Sequence, residues 1–220
     1  NDLQNKPKIN NVPLVNNITG DDLKRISEGA GHIINMFTGV FKTPKGTDIK
    51  KALLFSSGIA GYACHNAVKK INPNMFVQVK TKDGKNYYFG DAVNKYLAEN
   101  KYSVLSFASG SFKGVKSTVA VPDPRPIFAL IANNVGNADY KVWNEITPGN
   151  LYVQIKQCYE GIYDNMTKNY CKNVSEEPIL FGIVLQNIMI NAMTVAPHDE
   201  VFKLAIESAV MVSKMDDDSL

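Results

Sequence analysis

The densest group of residues capable of chemistry is the segment 56–65, Ser-Ser-Gly-Ile-Ala-Gly-Tyr-Ala-Cys-His. Cys64 is a candidate nucleophile, and a cysteine attacks as a thiolate that a neighbouring base must generate. His65 cannot be that base on a helix, where successive side chains point about 100° apart. Ser57, Gly61 and Cys64 lie at three-to-four spacing on one face and Gly58, Tyr62 and His65 on the neighbouring one, and a mid-helix glycine costs about 1 kcal/mol relative to alanine. Such residues earn their place where something approaches the helix closely, so Ser57, Gly58 and Gly61 form a candidate close-packing interface with the first helix or a partner subunit.

A second group lies at 80–91. Tyr87, Tyr88 and Phe89 precede Asp91, with Lys80, Lys82 and Lys85 beside them. Strand alternation separates Tyr88 from Tyr87 and Phe89. Tyr88, Lys80 and Lys82 are therefore candidates to stack on or clamp an anionic ligand, and Asp91 is a candidate catalytic carboxylate or helix cap. The order of Cys64, the apolar run 76–79, Asp83-Gly84, Tyr87-Tyr88 and Asp91 loosely resembles the core of transglutaminase-like cysteine enzymes across residues 64–91. That resemblance implies a base histidine at the start of the strand, where this chain has Asn74 and Met75. The thiol is then expected to stay protonated near neutral pH, and no family is assigned.

No other pattern completes a site. Residues 107–114 hold small residues and a lysine without the G-x-x-x-x-G-K-[ST] spacing, and read as a flexible loop. His198-Asp199-Glu200 lacks a second histidine at i+4, and the three histidines are far apart, so no metal site is expected. No motif calls for a cofactor.

With 220 residues, 45% hydrophobic and 20% charged, the chain has an ordinary globular composition that excludes collagen-like and disordered classes. The net charge of +3 conceals a division: residues 1–125 carry 18 basic and 9 acidic side chains, a balance of +9, and residues 126–220 a balance of −6. The lysines are dispersed and accompany no reading motif, which argues against nucleic acid. Three cysteines form no disulfide framework, and a reducing cytoplasm is expected. No apolar run reaches the length of a membrane span.

The elements that must position these residues are expected to form an α+β, mainly helical fold. Residues 1–18 read as an extended leader. Thr19 or Asp21 opens a helix to about Phe41, and Thr47 caps a second from Asp48 to about Ile71, the two making an antiparallel helical hairpin. Period-two patterning at 75–81 and 86–89 around Asp83-Gly84 predicts a hairpin, and 102–107 and 115–121 are further strands, giving a sheet of three to four. Asp91 caps a helix over 92–99. The prolines at 122–126 mark a sub-boundary within a single domain spanning 19–215. Helices follow from Thr147-Pro148 to about Ile162, over 176–195 and over 198–215, and the acidic tail 216–220 is expected to fray.

Two functional readings arise. The first is a non-enzymatic module that self-associates or binds another protein, for which the small-residue face and the opposed charges speak. The alternative is a small-molecule-binding protein or cysteine-dependent enzyme with a pocket near Cys64, Tyr88 and Asp91.

Overall fold

Thr19 caps the first helix by accepting from the Asp22 amide while Asp22 reaches back to Thr19, a closed capping box at the start of α1 (Gly20–Val40) in a computed structural model that describes residues 18–220. The expected leader thus lies, through residue 17, outside the described residues. A two-residue hairpin, β1 (Lys42–Thr43) with β2 (Gly46–Thr47), leads to α2 (Ile49–Ile71). Asp48 rather than Thr47 is the cap, its carboxylate accepting from the Lys51 amide. The antiparallel hairpin β3 (Val77–Lys80) and β4 (Asn86–Phe89) follows, with Val79 opposite Tyr87 and Gln78 opposite Tyr88. Gly90 stands at the cap position of α3 (Asp91–Asn94), which Asp91 begins rather than caps; α3 runs into a π-helical turn at Lys95–Glu99.

The remainder is helical: α4 (Val104–Gly114), α5 (Arg125–Asn134), α6 (Pro148–Ile162) with a π turn at Tyr163–Thr167, the short α7 (Lys168–Tyr170), α8 (Glu177–Ala192) and α9 (His198–Ser213). Thr147 caps α6 and Pro148 occupies its first turn, as the sequence implies. The fold is mainly helical with a small antiparallel component, but the strand count is smaller than expected: each sheet has two strands. Residues 104–114, expected as the end of a strand and a loop, form α4 because Ser103 caps it, its hydroxyl accepting from the Ser106 amide. The small residues there serve a helix crossing: Gly110 faces Gln186 and Gly114 faces Ile190 of α8, so close that a Cβ on either would collide. Residues 115–121 form no strand.

The two N-terminal helices are consecutive but do not pack as a hairpin. Helix α1 lays Ile26, Ala30, Ile33 and Phe37 on α8 and the α7 region, while α2 packs on α8, α9 and α6. Helix α2 is buried nearly all round, from Leu53 and Ser56 to Ala67 and Val68. Ser56 and Ser57 satisfy their hydroxyls on the Leu53 carbonyl one turn back, which lets polar side chains enter the core at little cost. The small-residue face is an internal one: an ideal Cβ on Gly61 would lie 2.0 Å from the Ala209 carbonyl oxygen of α9, and one on Gly58 2.6 Å from the end of the Ile155 side chain of α6.

The segment beyond the prolines belongs to the same core, since Ile127 and Ile131 of α5 are buried and α5 packs on α9. Several ion pairs join the basic first part to the acidic second, Arg25–Glu176 at 3.0 Å, Lys50–Glu145 and Lys69–Asp216, while Lys172–Asp22 runs the other way. The acidic tail lies against the body of the fold. Asp217–Ser219 forms a 3-10 turn closed by a capping box, Asp218 accepts from Asn86 and the Tyr88 hydroxyl at 2.8 Å, and Asp217 pairs with Lys156 at 2.7 Å. Its charges have partners on three distant elements, which local sequence cannot reveal.

The approach at Gly61 predicts an ordering of two substitutions. Gly61→Ala meets backbone and is expected to destabilise by about 3 kcal/mol or more. Gly58→Ala meets the buried Ile155 side chain at Cδ1 and Cγ1, which can shift where backbone cannot, and regains up to about 1 kcal/mol of helix propensity, so it is expected to cost about 1 kcal/mol, well below Gly61→Ala. Urea titration of both variants checks the contrast.

Candidate functional site

The end of α9 gathers the polar groups of the core. The Ser213 carbonyl faces His65 Nδ1 at 3.2 Å, the Lys214 carbonyl accepts from the Tyr88 amide at 2.8 Å, and Asp216 Oδ2 lies 3.5 Å from His65 Nε2 and bonds Lys69. The His65 ring stacks on Phe76 with centroids 4.6 Å apart and meets the Tyr88 edge at 5.2 Å. Burial would raise the Asp216 carboxyl, but hydrogen bonds from His65, Lys69 and the Asp217 amide hold it well below the usual carboxylate range. Tyr88 is therefore engaged with the tail and His65. The exposed Lys80 and Lys82 make no ion pair among the described residues.

None of the three cavities lined by Lys85 and Asn150, by Phe89 and Lys214, or by Leu105 and Arg125 includes Cys64, Tyr88 or Asp91 in its lining. Cys64 is fully buried, and burial pushes its thiol far up, so it lacks the thiolate that a nucleophile needs. The chain order that resembles transglutaminase-like enzymes is accordingly not accompanied by an accessible cysteine. His198 is held between the Ser117 hydroxyl at 2.7 Å and the Met193 carbonyl at 3.1 Å, a structural placement. Among the described residues no three His, Cys, Asp or Glu side chains group as a metal site.

The residue that sequence reasoning passed over is Lys214. It is 5% exposed, its Nζ lies 5.2 Å above the Phe89 ring, and among the described residues it has neither a carboxylate within ion-pair distance nor a hydrogen-bond acceptor. It lines a cavity of about 340 Å³ walled by Phe89, Phe128, Ile131 and Val210, with Gly90 and Asn94 at the mouth of α3. Gly90 is required here: its φ of +129° is open to glycine, and a Cβ would lie 2.9 Å from the Met75 carbonyl oxygen. A second, largely apolar cavity of about 400 Å³, lined by Ala98, Leu105 and Pro124, shares Asn94 and Phe128 with the first. The signal that points to Lys214 is a single ammonium in an otherwise apolar turn, Val210-Met211-Val212-Ser213-Lys214-Met215.

Burial pulls the Lys214 ammonium down to about 8 from its ordinary 10.5, with only a small opposing influence from Cys64. The folded state thus sheds this proton before the unfolded state does. Between these two values the unfolded chain binds more protons, so this residue's contribution to stability rises with pH across that window. Lys214→Met, which keeps the apolar stem and removes the charge, is expected to stabilise the fold by roughly 3 kcal/mol at pH 7. The gap between variant and unaltered chain should close as pH approaches 10, and denaturation at pH 7, 9 and 10 checks it.

At the other end of this cluster, Asp216→Asn is expected to cost about 2 kcal/mol at pH 7 through loss of charged hydrogen bonds. Because the folded carboxyl titrates below its unfolded value, that cost is full above about pH 4 and shrinks as pH falls further. Acid unfolding curves of the two chains are the measurement. The chain matches no family model, no curated protein and no solved structure, so its own geometry carries the functional reading.

Proposed function

We propose that this protein binds a small molecule with an apolar body and one oxygen acceptor, lodged in the cavity beside Lys214. The observation that carries the reading is a lysine, 5% exposed, that lines an apolar cavity and has no anionic partner among the described residues. A buried charge without a counter-ion is costly, and proteins retain such groups most often where a ligand supplies the complement. The cavity volume of about 340 Å³ falls within the range of small-molecule sites, and the adjoining apolar cavity gives a longer body somewhere to run.

The self-association reading drew on the small-residue face of α2, which α9 and α6 cover within this chain. The cysteine-enzyme reading draws no support from a thiol that is fully buried. No helix among the described residues is long and apolar enough to cross a membrane. The free cysteines Cys64, Cys158 and Cys171 support a reducing compartment such as the cytoplasm.

Octanoate, an aliphatic chain ending in a carboxylate, is the probe. Isothermal titration is expected to give submillimolar binding to the unaltered chain and at least tenfold weaker binding to Lys214→Met. Equal binding by both chains, or none by either, would overturn the reading.

A further inference from the structure

We propose that Lys214 is a nucleophilic amine that captures an apolar aldehyde as a covalent imine, so that the oxygen acceptor of the ligand is a carbonyl. The inference rests on the binding reading above and names the ligand class of that same cavity. Four features of the geometry converge on it. Lys214 lines the cavity and pairs with no carboxylate among the described residues, so no fixed negative charge holds its amine in the unreactive ammonium form. The walls, Phe89, Phe128, Ile131 and Val210, accept an aliphatic body and limit the water that would hydrolyse an imine. Asn94 lines both cavities, and its side chain makes no hydrogen bond among the described residues, leaving an amide to hold the carbonyl oxygen. The Phe89 face lies 5.2 Å from Nζ, where it stabilises the positive charge of an iminium as it does that of the ammonium.

The step balances without an added oxidant or reductant. The Nζ lone pair attacks the carbonyl carbon, the carbonyl π pair moves to oxygen, and a proton passes from nitrogen to that oxygen, giving a carbinolamine. The nitrogen lone pair then expels the hydroxyl, which takes a proton and leaves as water; the product is the iminium or, after proton loss, the imine. The amine must be neutral to begin. With burial bringing it down to about 8, its neutral fraction at pH 7 is on the order of a hundredfold above that of an exposed lysine.

The test treats the unaltered chain with stoichiometric octanal and cyanoborohydride at pH 7, followed by peptide mass mapping. The expected result is a mass gain equal to octanal less one oxygen on the peptide holding Lys214, at least tenfold above the peptides holding the exposed Lys80 and Lys82. Excess octanoate should protect Lys214, a control that needs no variant. Lys214→Arg should lose the label yet still bind octanoate. Propanal, which lacks an apolar body, should show a smaller preference for Lys214 than octanal does, because it keeps only the advantage of the neutral amine. Labelling of Lys214 no greater than that of Lys80 and Lys82 overturns the imine; if octanoate still binds in a Lys214-dependent way, the binding reading stands alone, and if it does not, both fall.

Discussion

The approach of α2 to α9 governs what the other helices can do. Where Gly61 meets the Ala209 carbonyl there is no room for a methyl group, and the same stretch of α2 must also admit α6 at Gly58 and α8 along its length. A helix surrounded on all sides can be close-packed only if its side chains are small, which explains alanine, glycine and serine at eight of the positions from Ala52 to Ala67. Larger residues fill the gap at Gly58 from outside, Ile155 and Val212, just as Tyr170 covers Gly29 of α1 and Phe107 covers Gly182 of α8. This packing fixes the axis of α9, and with it the places of Ser213, Lys214 and Asp216 at its end.

Those last residues lead in different directions. The Ser213 carbonyl faces Nδ1 of His65 and the Asp216 carboxylate lies 3.5 Å from its Nε2, the Lys214 carbonyl accepts from the Tyr88 amide of β4, and the Lys214 side chain lines the apolar cavity beside α5. The tail then crosses back over α6 and β4, so that the hairpin, α2 and α9 are tied by polar contacts at one end of the core. Lys214 is the exception within this well-satisfied cluster. Its Nζ has an aromatic face for company where its neighbours have hydrogen bonds, and that difference separates a structural polar group from one available to a ligand.

Much of the helical framework is written locally. The Thr19 cap, Lys69 and Lys70 in the last turn of α2, Thr147-Pro148 before α6 and Asp83-Gly84 in the hairpin are each short-range signals that the fold obeys, while the cap of α2 falls to Asp48, one residue past the expected Thr47. The failures share a cause. Tyr102 to Phe107 has the aromatic, β-branched look of a strand, but Ser103 offers a cap and α8 offers small-residue clefts, so tertiary packing sets the outcome. The tail looked unsupported because its partners lie on α2, β4 and α6. Cys64 and His65 drew attention as reactive types, whereas reactivity depends on surroundings: the thiol is sealed in, and the imidazole is spoken for by Ser213 and Asp216. Lys214 looks like any surface lysine until burial and the lack of a counter-ion are seen.

The separation between α2 and its partners has a consequence for how the chain reaches this state. His65 meets Ser213 across 148 positions, and Lys69 meets Asp216 across 147. During synthesis α2 emerges long before α8 and α9 exist, and its small, weakly amphipathic surface gives it little to hold onto in the interval. Loop closure over such distances slows folding, and the strongly apolar α8 is left exposed until α2 is seated against it. Productive folding therefore waits on the last helix, because the Gly61 face of α2 has no partner until α9 arrives.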